Sequence, residues 1–245
     1  MNIYLLAHQD DEFFCLPYIR KQIHCREEVL VIFLTNGRFG GVTSEERNKE
    51  SLKTFIDLGV DVKNVIFLGE YLEIQDGQLH RGVGKVIAML DKKLAMTKIN
   101  KVIFPCFEGG HQDHDSISYI VAHSRVFDHA KLLQFPLYNA YMIVRPLFRV
   151  YKTINAQSLS GEGFTYKISD LKYMLNYKSQ KRSFLGLGPF IIGRLFFQRH
   201  VNLVNFRADY IDKRPHEGAL LYERRTELTY EELDMNIKFN LETQK

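Results

Sequence analysis

Residues 3–12 read IYLLAHQDDE, an apolar run followed at once by imidazole and carboxylate side chains. Short apolar runs are typical of strands buried on both faces of a parallel sheet. Residues 102–104, VIF, form a second such run, and the cluster HQDH follows at 111–114. In an open α/β sheet, ligands bind outside the carboxyl ends of the strands. We therefore predict that both clusters lie at that edge of one sheet.

Apolar runs and helical patterns alternate through the first half of the chain. Residues Thr43-Ser44-Glu45-Glu46 form a capping box that predicts the start of a helix, and Gly59 predicts its end after Leu58. The pattern predicts strands over 2–7, 29–34, 65–68, 101–104 and 132–135, with helices over about 11–22, 43–58, 83–94 and 116–129. Such alternation indicates an α/β fold, a Rossmann-like, mostly parallel sheet with helices on both faces.

The second half indicates an irregular C-terminal region. We predict a capped helix over 169–183 and a terminal helix that begins at a capping box at Thr229. Residues 184–197 are apolar but contain three glycines and Pro189, and they are too few to span a membrane. We expect this segment and 214–222 to form a wall or lid over the site. The alternative is that 184–197 only packs on the sheet or lies in a dimer contact.

We expect a single domain over 1–245, with a parallel core at 1–135 and a C-terminal region at 136–245 that covers the site. The composition is that of a globular protein, with 45% hydrophobic and 25% charged residues. The net charge of +4 comes without a dense basic stripe interleaved with aromatic residues, which argues against nucleic acid as a partner. Homo-oligomerisation stays open.

The cysteine pattern and the N-terminus bear on the compartment. The chain has three cysteines, Cys15, Cys25 and Cys106, and no two of them are spaced as a CxxC pair. An odd number without such a pair argues against a disulfide framework and for a reducing compartment. The first apolar stretch is too short for the core of a signal peptide. We therefore expect a cytoplasmic protein.

The two polar clusters contain the residue types of a catalytic metal site. His8 and Asp11 can converge on one ion at a strand-to-helix turn, and Asp10 can act as a general base beside them. One histidine of the second cluster can complete a two-His, one-carboxylate site, while the other donates to an oxyanion. Asp113 can orient an imidazole. Alternatively, the acids only favour a helix N-terminus and the histidines only cap a helix, but two clusters at equivalent sheet positions favour a site.

The motifs also resemble those of a known family. AHQDDE at 7–12 and HQDH at 111–114 resemble the AHPDDE and HPDH signatures of the LmbE-like, or PIG-L-type, zinc deacetylases. Between them, 34–37, 47–50, 58–60 and 67–69 are similar to the TxGE, RxxE, LGV and FLG stretches of that family, and 170–180 is similar to its YxSQ helix. The resemblance covers about 1–135 and, more weakly, 165–185.

The resemblance implies a zinc-dependent deacetylase that hydrolyses the N-acetyl group of an amino-sugar conjugate of the N-acetylglucosamine type. It implies one Zn²⁺ per chain, for which iron or cobalt can substitute. The implied ligands are His8, Asp11 and His114. The other implied roles are a general base at Asp10, an oxyanion donor at His111 supported by Asp113, and a sugar contact at Arg47.

Several positions depart from the family pattern. Gln9 and Gln112 stand where both signatures have proline, which supplies no chemistry. Some members have an acidic residue soon after the FLG stretch that binds sugar hydroxyls. In this chain Glu70 or Asp76 could have that role, or neither. Gly109 occupies the position of a tyrosine that assists the oxyanion, so such a tyrosine must come from elsewhere. Two other functions stay open, a non-catalytic sugar-binding or regulatory protein and a metal-dependent phosphoesterase.

Overall fold

A computed structural model of the chain describes residues 1–143, 147–154 and 158–243. Its strands are β1 (Asn2–Leu6), β2 (Val29–Phe33), β3 (Val65–Phe67), β4 (Lys101–Pro105), β5 (Lys131–Phe135), β6 (Tyr138–Asn139), β7 (Arg149–Val150), β8 (Leu159–Thr165) and β9 (His200–Asn205). Its α-helices are α1 (Leu16–His24), α2 (Ser44–Leu58), α3 (Leu68–Tyr71), α4 (Val83–Leu94), α5 (Gln112–His123), α6 (Lys181–Phe197) and α7 (Tyr230–Glu242). Short 3₁₀ helices cover Asp11–Phe14, Val62–Asn64, Leu79–Arg81, Arg125–Phe127, Ile168–Asn176, Lys178–Gln180 and Ala208–Tyr210.

The predicted sheet is confirmed. Seven strands lie in the order β3-β2-β1-β4-β5-β9-β8, and the first five are parallel. Buried apolar residues form one cluster on each face of the sheet, as expected for strands covered on both sides.

The order of the strands fixes the place of the site. The chain passes from β1 to β2 on one side, and β4 pairs with β1 on the other, so the topology reverses between β1 and β4. Such a reversal opens a crevice outside the carboxyl ends of the two strands. Residues 8–12 and 106–114 follow these two strands directly and therefore meet at that crevice.

Two of the predicted helices have wrong boundaries. The first helix is split, because Asp11–Phe14 is a 3₁₀ turn and α1 begins only at Leu16. The fourth begins at Gln112 rather than Ser116 and ends at His123. Its N-cap is His111, whose ring accepts a hydrogen bond from the backbone N–H of Asp113. Histidine is not among the usual capping residues, so the pattern placed the start too late.

The C-terminal region is more regular than its sequence indicates. Strands β9 and β8 are antiparallel and extend the sheet beyond β5. The predicted helix over 169–183 is instead two 3₁₀ segments, and residues 181–197 form the 17-residue helix α6 with Pro189 inside it. The terminal capping box is confirmed at Thr229 and Glu232.

Glu108 links the end of β4 to the C-terminal region. Its carboxylate accepts hydrogen bonds from the backbone N–H of Leu137 (2.8 Å) and from Asn139 Nδ2 (2.9 Å). Burial raises the pKa of Glu108 from its usual 4.5 to about 7, although both bonds oppose this shift. The folded protein therefore holds this proton at pH values where the unfolded chain has lost it.

This raised pKa predicts a pH-dependent stability. The protonated Glu108 adds to the free energy of unfolding; this contribution is fully present below pH 4.5 and is lost as the pH rises through about 7. The loss is on the order of 3 kcal/mol in the free energy of unfolding. Urea unfolding at several pH values should show a flatter dependence for Glu108→Gln than for the wild type. The exposed Glu227→Gln is the control, and equal slopes for the wild type and Glu108→Gln would contradict the assignment.

Candidate metal centre

Three buried side chains meet at the crevice between β1 and β4. His8 follows β1, Asp11 opens the first 3₁₀ turn, and His114 lies in the first turn of α5. One nitrogen or oxygen atom from each lies within 4.8 Å of those of the other two. His114 Nε2 is 2.9 Å from Asp11 Oδ1, and His8 Nδ1 is 3.8 Å from Asp11 Oδ2. The sequence-predicted ligand set is therefore brought together.

The donor atoms of this cluster fit a divalent transition metal. Two imidazoles and one carboxylate are a usual catalytic zinc set and leave a position for water. Asp11 Oδ2 accepts hydrogen bonds from the backbone N–H groups of Ala7 (2.9 Å) and His8 (2.8 Å), which fixes the carboxylate. Burial opposes ionisation of Asp11, but His114 and His8 hold its pKa well below the usual value. The carboxylate is thus ready to bind a cation.

Asp113 sets the orientation of the His8 ring. Its Oδ2 lies 2.9 Å from His8 Nε2, and its carboxylate also accepts hydrogen bonds from the backbone N–H groups of Gly77 (2.6 Å) and Leu79 (2.9 Å). With Nε2 held by Asp113, Nδ1 of His8 faces Asp11 and the cluster. The resemblance implied that Asp113 supports His111, but its carboxylate contacts His8, because the ring of His111 is turned to cap α5.

Asp10 lies beside the cluster on the wall of a cavity. Its Oδ1 is 3.2 Å from Arg47 Nη2. Its φ of 154° is rare for a residue other than glycine, and such backbone strain is frequent at functional sites. Burial raises the pKa of Asp10 to about 6, although Arg47 opposes the shift. A carboxylate with this pKa is suited to accept a proton near neutral pH.

Arg47 is buried, and both terminal nitrogens of its guanidinium donate to the protein. Nη1 donates to the Gly37 carbonyl and to Asp76 Oδ2, both at 2.9 Å, while Nη2 donates to the Gln9 carbonyl (2.9 Å) and to Asp10. Arg47 lines the cavity, so contact with a sugar stays a prediction. Its observed contacts make it a positioning residue for two carboxylates.

His111 presents a neutral ring to the cavity. Burial and the neighbouring His8 lower its pKa to about 4. Because Nδ1 accepts the hydrogen bond that caps α5, the neutral ring carries its proton on Nε2. This N–H is a donor available near the metal cluster, since the nearest carboxylate oxygen, Asp76 Oδ1, is 3.9 Å away.

A second group of possible ligands shares His8 with the first. It consists of His8, Asp76, His111 and Asp113. Asp76 Oδ1 lies 3.2 Å from His8 Nε2, while Oδ2 is bonded to Arg47, and these neighbours keep the pKa of Asp76 low. Binding of a metal here would break the hydrogen bonds of Asp113 and Asp76. Binding to the first group would replace only the hydrogen bond between His114 and Asp11, and the backbone N–H groups of Ala7 and His8 would still hold the Asp11 carboxylate, so the first group is the better site.

The cavity has a volume of about 650 Å³ and combines the polar site with an apolar wall. The wall includes residues that sequence reasoning missed, Phe39, Tyr138, Phe148, Arg182 and Arg225. Tyr138 comes from β6, and its ring centroid lies 5.9 Å from that of His114. No local pattern marks these residues, because they reach the cavity from segments far apart in the chain.

The predicted wall at 184–197 and 214–222 is found only in part. Phe184, Gly186 and Leu187 of α6 line the cavity, as does Tyr222. Phe190 instead packs on Phe148, with ring centroids 4.3 Å apart. No residue of α6 after Leu187 is among those that line the cavity.

The two glutamines that replace proline hydrogen-bond to the protein. Gln9 Nε2 donates to Asn48 Oδ1 at 2.7 Å, and Gln112 Nε2 lies 3.5 Å from the Gly77 carbonyl. Both segments keep their ligand residues in place without proline.

The parallel α/β sheet and the His/Asp cluster at its switch point place the chain in the class of α/β proteins with a candidate metal site at the sheet edge. Residues 3–124 match the family described as PIG-L, GlcNAc-PI de-N-acetylase. The chain belongs to this PIG-L, or LmbE-like, family, as its signatures indicate.

Solved structures share the fold at low sequence identity. The conserved protein TT1542 from Thermus thermophilus is 19% identical, with a TM-score of 0.56 over 84% of this chain and 94% of that one. The N,N'-diacetylchitobiose deacetylase from Pyrococcus horikoshii is 16% identical, with a TM-score of 0.56 over 88% and 87%. A deacetylase of teicoplanin biosynthesis is 13% identical, with a TM-score of 0.56 over 80% and 89%. No curated protein sequence matches the chain.

Proposed function

We propose that the chain is a metal-dependent deacetylase that hydrolyses the N-acetyl group of an amino-sugar conjugate. The observation that carries the proposal is that the His8, Asp11 and His114 cluster adjoins a cavity, and that the Asp10 carboxylate and the neutral His111 line this cavity together with His8 and Asp11. The family assignment and the names of two structural relatives, both deacetylases, support it.

His8, Asp11 and His114 would hold one divalent metal, with zinc as the first choice and iron or cobalt as substitutes. A bound metal would polarise the amide carbonyl and acidify water. Asp113 holds the proton of His8 on Nε2, which leaves Nδ1 as the donor atom that faces the cluster. Carboxylates that orient a ligand histidine in this way also strengthen its binding.

The remaining residues supply proton transfer and charge stabilisation. Asp10 accepts a proton from the attacking water, and Arg47 fixes the position of its carboxylate. His111 Nε2–H donates a hydrogen bond to the oxyanion that forms at the carbonyl carbon. The C–N bond then breaks, and the leaving amine takes a proton from Asp10 or from a histidine. Acetate and a free amino sugar are the products.

The C-terminal region 136–245 is proposed to belong to one domain with the core and to shape specificity. It supplies the cavity wall opposite the metal ligands, through Tyr138, Phe148 and the first half of α6. Apolar walls with a few polar anchors are usual in ligand sites. Such a wall suits the group attached to the sugar rather than the acetyl group.

The phosphoesterase alternative is less well supported. Two-metal phosphoesterases need a second set of free ligands. Here the second group contains Asp113, which is bonded to His8 and two backbone N–H groups, and Asp76, which is bonded to Arg47. A purely sugar-binding protein would not require a strained Asp10 with a raised pKa beside the ligand cluster.

A product assay separates these functions. The purified, zinc-loaded protein is incubated with N-acetylglucosamine conjugates that carry different attached groups, and with phosphate esters of the same sugars. We expect acetate and free amine in equal amounts and no phosphate. Release of phosphate would favour the esterase, while sugar binding without release of either product would favour a regulatory role.

The contact between Asp113 and His8 gives a separate prediction. Asp113→Asn should weaken zinc affinity by about 10- to 100-fold, because an amide orients the imidazole less well and does not increase its basicity. Competition with a chelating dye measures the Kd for zinc, and the exposed Asp128→Asn is the control. An unchanged Kd in Asp113→Asn would show that this contact does not position His8.

A further inference from the structure

The outer face of α6 carries a second apolar stripe that the fold leaves uncovered among the described residues. The buried stripe consists of Phe184, Gly188, Ile191 and Leu195. The neighbouring positions at the same spacing are Leu185, Pro189, Ile192 and Phe196, and all four are exposed. A surface helix usually carries polar or charged residues on its outer face. This face of α6 is therefore suited to contact something other than water.

The exposed apolar surface extends from α6 to the 3₁₀ segment Ile168–Asn176. A shallow groove between the two is lined by Ile168, Leu171, Ile192, Leu195 and Phe196. Ile168 and Phe197 are also largely exposed. We call the exposed residues Leu185, Pro189, Ile192, Phe196, Phe197 and Ile168 the α6 patch. Contiguous exposed apolar patches mark sites of interaction with proteins or membranes.

The surroundings of the α6 patch are strongly basic. Residues 166–199 contain one acidic residue, Asp170, and seven basic ones, Lys167, Lys172, Lys178, Lys181, Arg182, Arg194 and Arg199. Both oxygens of Asp170 accept hydrogen bonds from Arg20, at 2.5 and 2.9 Å, so this acid is neutralised by a further cation. Lys167 and Arg199 also line the groove itself. Apolar side chains with lysine and arginine beside them match an anionic bilayer, which offers acyl chains below a layer of negative headgroups.

The same charges disfavour a second copy of the chain as the occupant. A symmetric dimer through this face would bring the same patch of both copies together. The lysine and arginine side chains near the patch of each copy would then face those of the other copy, and like charges at short range repel. A bilayer of anionic lipids has the opposite charge and avoids this cost.

We propose that the α6 patch docks the protein on the surface of an anionic membrane. Within the described part of the chain, none of the helices combines the length and apolar character that crossing a bilayer requires. The contact is therefore peripheral, with α6 lying along the interface. Ser183 and Leu187 of the same helix line the cavity, so α6 lies between the cavity and the lipid when the protein is docked. The inference rests on the α6 patch and does not depend on the proposed deacetylation.

Co-sedimentation with vesicles tests the proposal. The full chain is mixed at low ionic strength with vesicles of phosphatidylcholine alone, or of equal parts phosphatidylcholine and phosphatidylglycerol. We expect binding to the anionic vesicles and a marked loss of binding at high salt.

Ile192→Ser with Phe196→Ser should weaken binding by about tenfold or more through loss of apolar contact. Lys181→Gln with Arg199→Gln should weaken it by about 30-fold through loss of two attractions.

Matched substitutions on α7 control for exposed apolar area. Met235 (63% exposed) and Phe239 (66%) are as exposed as Ile192 (51%) and Phe196 (78%), and each pair is spaced four residues apart. Met235→Ser with Phe239→Ser should leave vesicle binding unchanged, and the Tm should be similar in all variants. The proposal is overturned if the wild type ignores anionic vesicles, or if both apolar pairs have equal effects. It is also overturned if sedimentation velocity shows a dimer that dissociates when Ile192 and Phe196 are replaced.

Discussion

Asp10→Asn should lower kcat for deacetylation by about a hundredfold or more, the scale expected for loss of a positioned general base. The amide cannot accept a proton from water at neutral pH. It keeps the size of the side chain and can still accept a hydrogen bond from Arg47, so the fold and the cavity should be preserved. The measurement is acetate release at saturating substrate, with metal content determined on the same sample.

The control for this variant is Asp128→Asn, which changes an exposed aspartate outside the cavity. It should show wild-type turnover. Near-normal kcat in Asp10→Asn would move the base to another carboxylate. Asp76 is then the next candidate, because it lines the same cavity and is ionised there.

His114→Ala should reduce bound metal from about one ion per chain to a small fraction and abolish deacetylation. His114 supplies one of three proposed ligands, and its Nε2 lies 2.9 Å from Asp11 Oδ1. Removal leaves one imidazole and one carboxylate, a set too small for tight binding of zinc. Elemental analysis after dialysis gives the stoichiometry, and circular dichroism shows whether the variant is folded.

The matched control is His129→Ala, since His129 is exposed and is not among the residues that line the cavity. It should retain metal and activity. Full metal content in His114→Ala would show that the ligand set is wrong and would shift attention to the group around His8, Asp76, His111 and Asp113.

The parallel core and the meeting of the two clusters could be predicted because the information is local. The apolar runs before His8 and after Asn100 define β1 and β4, and the rules for parallel sheets place their carboxyl ends together. The capping boxes at Thr43 and Thr229 define their helices in the same way.

Contacts between distant segments could not be predicted. Nothing near Asp113 in the sequence indicates that its carboxylate bonds to His8 rather than supporting His111. Likewise, nothing near Arg47 in the sequence indicates that the fold surrounds it with Asp10, Asp76 and two backbone carbonyls. These roles follow from tertiary structure alone.

Helix α6 shows where burial overrides local propensity. Glycine costs a helix about 1 kcal/mol per residue and proline about 3 kcal/mol, so residues 181–197 are a poor helical sequence. Burial of Phe184, Ile191 and Leu195 against the core offsets much of this cost. The antiparallel strand β8, which contains Gly161 and Gly163, was missed for a similar reason.

Zinc titration of acetate release tests the central claim most directly. The metal-stripped protein is given increasing zinc in the presence of an N-acetylglucosamine conjugate, and the initial rate of acetate release is measured at each ratio. The proposed site predicts no activity without metal, a rise in rate, and a plateau at about one equivalent per chain. Full activity in the metal-free protein, or no acetate release at any zinc level for any conjugate, would contradict the account.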